Sequence, residues 1–164
     1  MAGNDPAKAL VIRLAEVEDI PAIEALDQYG NSPLRAIHQD LQKYFGSLDP
    51  SMHERNTILL ACIGSEAVGK AELVLAPRTL PTYVGYIKRV IVRPEYRGQG
   101  IARRLMEAVI AFAKTQEVHA LDLHVFEKNL PALRLYESLG FQEEHREIYY
   151  RLNLRCEDER SNER

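Results

Sequence analysis

VIVRPEYRGQGIA, the sequence of residues 90–102, combines the end of a strand, a glycine turn and the start of a helix. The strand is predicted to end at Val92, because Pro94 has no N–H for further ladder pairing. The turn at residues 97–100 follows, and apolar residues at helical spacing predict a helix over 101–115. The first N–H groups of a helix have no internal partner, and glycines let a ligand approach the backbone. The stretch therefore predicts an anion site, with a diphosphate as the natural guest.

The local charge supports this prediction. Between positions 88 and 104 six basic residues stand against one acid, Glu95, in a chain whose formal net charge is −3. Because strand residues alternate sides, not all six can face one ligand. The six are Lys88, Arg89, Arg93, Arg97, Arg103 and Arg104.

Composition indicates an ordinary soluble domain, with 164 residues, 46% hydrophobic and 27% charged. A single domain is predicted over 9–154, with disordered tails at 1–8 and 155–164. The small net charge gives no case for a nucleic-acid or membrane binder. Cys62 and Cys156 form no CxxC pair, which favours a reducing cytoplasm. Neither a signal peptide nor an apolar run of the ~20 residues that span a bilayer is found.

The order of elements is β-α-α-β-β-β-α-β-α-β. Asp19 is predicted to cap the first helix and Gly140 to end the last. Hairpin patterns in the first half and strand–helix alternation in the second predict an α+β fold, with a mixed, mostly antiparallel central sheet and helices on both faces. Strands are predicted at 9–15, 57–63, 67–75, 83–92, 120–126 and 147–154, and helices at 19–28, 33–45, 101–115 and 130–139.

A second motif lies downstream. Its pattern, N-x-x-A-x-x-x-Y-x-x-x-G-F, is carried by Asn129, Ala132, Tyr136, Gly140 and Phe141. The two blocks leave room between them for one helix and one strand.

Together the two blocks resemble the GNAT superfamily of N-acetyltransferases. Residues 97–102 match the coenzyme A signature Q/R-x-x-G-x-G/A of that superfamily, and the Asn129 block is similar to its other common motif. The resemblance covers about residues 83–141, and the first 80 or so residues match in element order. It implies the GNAT fold and transfer of an acetyl group from acetyl-CoA to a primary amine by direct attack in a ternary complex.

The resemblance also implies a cofactor site. Backbone amides of residues 98–102 would bind the pyrophosphate, and strands 83–92 and 120–126 would splay apart so that pantetheine pairs with backbone near Val90 and Val92. An N–H near Val90 or Ile91 would polarise the thioester carbonyl. The expected cofactor-binding residues are Val90, Ile91, Val92, Arg97, Gly98, Gln99, Gly100, Ile101, Ala102, Arg103, Asn129 and Tyr136.

Two residues are candidates for catalysis. Tyr136 is the expected general acid for the departing thiolate, because a phenol with a pKa of about 10 stays protonated at neutral pH. Its place on an apolar helical stripe equally fits a core residue, and Asn129 fits a helix cap. The predicted strand 83–92 has no acidic residue, so Glu72 on the neighbouring strand is the candidate general base, with Tyr86 ordering a water. A role as an ordinary surface charge explains the presence of Glu72 equally well. Deprotonation of the amine by water would need no base.

Alternative functions stay open at this point. A Rossmann-type NAD-binding enzyme would use Gly98, Gly100 and a ribose contact from Asp122. Arg103, however, occupies the third glycine position of that fingerprint. A domain of the same fold without a base would act as an acyl-CoA sensor or interaction module. His119 and His124 are an odd number apart on a strand, and no metal site is predicted. The acceptor is a small or protein amine, and a homodimer is possible.

Overall fold

The computed structural model describes residues 9–30, 55–75 and 83–154. Its sheet has the order β1-β2-β3-β4-β5, in which β4 and β5 are parallel and the other neighbours are antiparallel. The predicted helix at 33–45 and both predicted tails lie outside the described residues. The strands are β1 Leu10–Leu14, β2 Arg55–Ile63, β3 Glu66–Leu75, β4 Val84–Val92 and β5 Ala120–Leu123, and the helices are α1 Ile20–Asp27, α2 Ile101–Thr115 and α3 Leu130–Ser138.

Helices cover both faces of the sheet, as predicted. Side chains of a strand alternate between faces, so β2 contributes to two separate cores. On one face Leu59 and Ala61 pack in a cluster with Leu105 and Val109 of α2. The opposite face of β2 packs against α1 through Ile58, Leu60, Cys62, Ile23 and Leu26. The predicted α+β class with a mixed, mostly antiparallel sheet is confirmed, and one parallel pair does not make the doubly wound sheet of a nucleotide-binding fold.

The start of α1 differs from the prediction in one contact. Asp19 occupies the N-cap position, but its side chain makes no capping hydrogen bond to the helix. Its carboxylate instead accepts from the Glu16 N–H at 2.8 Å and from the Arg13 guanidinium at 2.7 Å. The hydrogen bond from Arg13 lowers the pKa of Asp19. Asp19 therefore ties the end of β1 to the start of α1.

Two strand predictions are wrong. The strand predicted at 120–126 ends at Leu123, because its pairing with β4 ends there. The strand predicted at 147–154 is absent, and the chain from 141 to 154 has no regular secondary structure. A period-two pattern predicts a strand, but a strand also needs a paired neighbour. Among the described residues, none of the helices has the length and apolar character to cross a bilayer.

Candidate functional site

A gap opens between β4 and β5. The parallel register begins at Val84 opposite Ala120 and ends at Ile87 opposite Leu123. Strand β4 continues to Val92 without β5 beside it, so its last five residues pair on one side only. The splayed strands that the sequence motif implies are therefore present.

A bulge lies in β4 at the start of this gap. Residues 88–91 of β4 lie opposite residues 70–72 of β3, so β4 contains one extra residue. Arg89 takes a φ of 50°, in the left-handed region that non-glycine residues rarely occupy. The bulge turns the Arg89 side chain towards Glu72, and the residues after it change their alternation.

The changed alternation decides which backbone groups face the gap. The Arg93 N–H donates to the Val68 carbonyl on β3 at 2.9 Å. Since backbone groups alternate along a strand, Ile91 also faces β3, whereas Val90 and Val92 face the gap. Of the two candidate N–H groups for polarising a carbonyl, Val90 therefore has the suitable direction.

The turn before α2 presents open backbone. Gly98 and Gly100 have φ values of 76° and 78°, which favour glycine, and a Cβ built on either would meet no described atom within 4 Å. The first helical hydrogen bond runs from the Arg104 N–H to the Gly100 carbonyl at 3.1 Å. The N–H groups of residues 101–103 thus precede the helical ladder and carry the positive end of the helix dipole. This open turn fits the approach of an anion.

The basic residues around this turn already have partners. Arg97 donates from Nε to the Val92 carbonyl at 3.0 Å, and Arg103 donates to the Ser138 hydroxyl and lies 4.0 Å from Glu107. Both guanidinium groups remain exposed beside the turn. The other contacts are Arg93 with Glu66 and Glu95, Arg104 with the Leu10 carbonyl, and Arg89 with Glu72.

Tyr136 lies half-buried on α3 and lines the same cleft as Val90. Its ring packs edge-on against Phe141, with centroids 6.0 Å apart. Burial raises the pKa of the Tyr136 phenol, because an apolar environment disfavours the phenolate. Tyr136 therefore packs against Phe141 and keeps its hydroxyl protonated at neutral pH, and its role as a proton donor stays a prediction.

Asn129 lies at the N-terminus of α3, as the motif predicts. Its Oδ1 accepts from the Ala132 N–H at 3.4 Å, so the side chain caps the helix. A contact from Asn129 to a cofactor stays a prediction.

Glu72 belongs to a buried cluster of charges. Its side chain is 1% exposed, and its carboxylate lies 2.6 Å from Lys70 Nζ and 3.3 Å from the Arg89 guanidinium. Lys70 is 0% exposed and also pairs with Asp27 of α1. Two carboxylates and two cationic side chains therefore neutralise each other between α1 and the sheet.

The sequence analysis missed Lys70 and Asp27. The available signal was the i, i+2 spacing of Lys70 and Glu72, which places opposite charges on one face of a strand whose neighbours are apolar.

A second polar group lies at the outer end of β5. The Tyr86 hydroxyl is 2.8 Å from His124 Nδ1. Glu147 lies 3.4 Å from His124 and 3.0 Å from His145, and the hydrogen bond with Glu147 raises the pKa of His145. His124, His145 and Glu147 are exposed, and their ligand-type atoms lie within 4.8 Å of one another. Ion pairing accounts for the grouping, and the absence of a metal site stays a prediction.

The comparisons with known proteins agree on one family. Residues 15–141 match the model of the Acetyltransferase (GNAT) family. The chain is 34% identical over 89 residues to a glucosamine 6-phosphate N-acetyltransferase of Trypanosoma brucei brucei, covering 53% of this chain and 57% of that protein. It is 37% identical over 91 residues to the N-alpha-acetyltransferase RimI of Mycobacterium tuberculosis, covering 55% of each. The chain thus spans little more than half of these curated relatives.

Solved structures show the same fold. The aminoglycoside N-acetyltransferase AAC(6')-Iy in complex with CoA superposes with a TM-score of 0.74 over 95% of this chain and 100% of that chain, at 18% identity. A Trypanosoma brucei acetyltransferase gives a TM-score of 0.65 over 88% of this chain and 100% of that chain, at 24% identity.

Proposed function

The chain belongs to the GNAT acetyltransferase family, and we propose that it transfers the acetyl group of acetyl-CoA to a primary amine within a ternary complex. The observation that carries this proposal is the gap between β4 and β5, which opens beside the exposed turn before α2. These two features offer a backbone edge for an amide-bearing chain and a cluster of N–H donors for a diphosphate.

Acetyl-CoA supplies an acetyl group activated as a thioester. Within this proposal the amides of Gly98, Gln99, Gly100, Ile101 and Ala102 bind the pyrophosphate. Arg97 and Arg103 add positive charge at the rim of the turn, where their side chains are exposed. Val90 and Val92 pair with pantetheine, while Ile91 holds β4 in place through its backbone pairing with β3. Asn129 orders the start of α3 and contacts the cofactor.

Two residues act on the thioester in this proposal, Tyr136 by proton transfer and Val90 by a hydrogen bond. As the amine nitrogen forms its bond to the acetyl carbon and the C–S bond breaks, Tyr136 donates its proton to the leaving sulfur. Val90 donates an N–H hydrogen bond to the carbonyl oxygen as negative charge develops there. Both groups line the cleft that extends from the turn before α2 to α3.

The base is the less constrained part of the proposal. Glu72 is the candidate, but its oxygens contact Lys70 and Arg89, so accepting a proton would disturb an ion pair. This arrangement favours the alternative in which bulk water removes the proton from the amine before or during attack.

Substitution of Gly100 by alanine is expected to weaken acetyl-CoA binding. The Cβ would project into the open space of the turn, and loss of one hydrogen bond to a charged group costs about 1.5–3 kcal/mol. We expect a dissociation constant roughly 10–100-fold higher by calorimetric titration.

Gly140→Ala is the matched control for this substitution. Gly140 also has a positive φ, 95°, and open space at its Cβ position. Both variants should lose about 1–2 kcal/mol of stability from the left-handed alanine. Equal acetyl-CoA affinity in the two variants would contradict the proposed role of the turn.

A turnover screen with acetyl-CoA tests the reaction itself. Thiol release should be saturable with at least one of three amine classes, which are small amines, amino acids and peptides with free N-termini or lysines. Equimolar thiol and acetylated amine are expected, because each transfer consumes one thioester. Saturable acetyl-CoA binding without thiol release from any class would favour an acyl-CoA sensor.

A further inference from the structure

Arg89 occupies a backbone conformation that its residue type disfavours. Its φ of 50° lies in the left-handed region, where the Cβ crowds the following carbonyl. Among the described residues, Glu117 after the end of α2 is the other non-glycine residue with a positive φ. Strained residues of this kind persist only where the surrounding structure holds them, and they concentrate at functional sites. The contacts of the Arg89 side chain therefore bear on whether the bulge in β4 keeps its shape.

The Arg89 side chain is held by a carboxylate that is itself fixed. Its Nη1 lies 3.3 Å and 3.4 Å from the two carboxylate oxygens of Glu72. Glu72 lies 2.6 Å from Lys70 Nζ, and Lys70 pairs in turn with Asp27 of α1. The side chains of these last three residues are at most 4% exposed, so they move only if α1 repacks on the sheet. Arg89 is thus linked to the buried interior of the domain.

Stability alone does not explain charges at this place. A buried ion pair loses the hydration of both partners, and apolar residues of similar volume commonly give equal or greater stability. The neighbours are apolar, because Lys70 lies opposite Leu60 and Glu72 opposite Ile58 across the β2–β3 pairing. The charges add direction, because a guanidinium and a carboxylate bind each other in a few defined arrangements. A fixed geometry at Arg89 is what this cluster can supply.

The bulge controls the direction of the next backbone donor. Its two flanking residues, Lys88 and Ile91, both pair with β3, so β4 is fixed on either side of it. A change of φ at Arg89 must then be compensated by neighbouring torsion angles, and the peptide plane that carries the Val90 N–H turns. That N–H faces the gap between β4 and β5, where the thioester would lie. The conformation of Arg89 therefore sets the aim of the Val90 donor.

We propose that Arg89 is a positioning residue for acetyl transfer, because its ion pair with Glu72 holds the bulge that aims the Val90 N–H at the thioester oxygen. This inference rests on the transfer proposed above and adds a residue that acts through Val90. It also gives Glu72 a role as the anchor of Arg89. Glu72→Gln keeps a side-chain oxygen that can accept from Arg89, so positioning alone predicts little loss of kcat for that substitution.

A comparison of Arg89→Ala with Arg89→Gly tests the positioning role. Both substitutions remove the guanidinium, but glycine adopts a positive φ without strain and alanine does not. Arg89→Ala is expected to lower kcat on the order of 10²-fold, the scale for loss of one donor to a developing oxyanion. Arg89→Gly should recover most of that loss, because the bulge can persist without its anchor. Steady-state rates are measured at a temperature at which both variants are folded.

Acetyl-CoA affinity separates positioning from a general disturbance of the site. Calorimetric titration should give dissociation constants close to the original value for both Arg89 variants, because the turn at residues 98–102 is unaltered. Glu117→Ala and Glu117→Gly are the matched controls, since Glu117 has a similar φ of 60° and no proposed part in the reaction. Both control variants should keep the original kcat.

Two kinetic results would overturn the proposal. An unchanged kcat in Arg89→Ala would remove Arg89 from the reaction. Equal losses in Arg89→Ala and Arg89→Gly would assign the effect to the missing charge instead of the backbone.

A protein that acetylates no amine would contradict the proposed transfer, and the anchoring of the bulge is then measured by NMR. A residue with a positive φ shows a strong NOE between its own amide and α protons. Loss of this NOE at position 89 in Arg89→Ala would support the anchoring by Glu72, whereas its retention would contradict it.

Discussion

Tyr136→Phe is expected to lower kcat on the order of 10²-fold, the usual scale for loss of a general acid. Phenylalanine retains the ring that packs against Phe141, so folding should change little. Acetyl-CoA affinity should also stay close to its original value, because the hydroxyl acts when the C–S bond breaks. Steady-state rates with the best amine, together with calorimetry, separate the two effects.

Tyr96→Phe is the control for this substitution. Its hydroxyl donates to Glu66 of β3 at 3.0 Å, and neither residue is proposed to bind acetyl-CoA or to react, so kcat should be unchanged. If Tyr136→Phe also leaves kcat unchanged, Tyr136 is a packing residue and the proton donor lies elsewhere.

The pH profile gives a second readout for Tyr136. A general acid must be protonated, so its contribution is lost as pH rises through its pKa. Burial raises the pKa of Tyr136, which moves that loss above the ordinary tyrosine value of about 10. The original protein should therefore show a falling limb of kcat above that value, and the Phe variant should lack it.

Glu72→Gln is expected to lower the free energy of unfolding by about 3–5 kcal/mol, as when one partner of a buried ion pair is removed. Lys70 is fully buried, and the substitution would leave it and Arg89 as two cations beside a single carboxylate, that of Asp27. Urea unfolding followed by circular dichroism measures the change.

Glu66→Gln provides the comparison for an exposed pair. Glu66 binds Arg93 at the surface, where an ion pair contributes about 0–1 kcal/mol. Equal destabilisation by both substitutions would contradict a structural role for the buried cluster. At a temperature where Glu72→Gln is folded, retention of kcat would favour water as the proton acceptor, whereas a loss on the order of 10²–10⁴-fold would favour Glu72 as the base.

Local patterns predicted much of the fold. The bounds of α2 agree with the apolar spacing from Ile101 to Thr115, and the β2–β3 hairpin follows the turn at Gly64. The helix and the hairpin are both formed by residues close in sequence, so apolar periodicity and the residues of the turn are enough to predict them. The glycine turn before α2 was predictable for the same reason.

Long-range contacts limited the remaining predictions. The bulge at Arg89 depends on how β3 and β4 align, and the Lys70–Asp27 pair joins a strand to a helix more than 40 positions earlier. The strand at 147–154 was predicted from its own pattern, but forming it requires an edge that no single segment specifies. These three features therefore depend on contacts between segments distant in sequence, which local patterns do not specify.

The most direct test of the central claim is an NMR titration of ¹⁵N-labelled protein with acetyl-CoA. The backbone amides of Gly98, Gly100, Ile101 and Ala102 are expected to show saturable shifts, because their N–H groups would bind the pyrophosphate. Binding that leaves these four signals unmoved while shifting amides elsewhere, or an absence of binding to folded protein, would contradict the account.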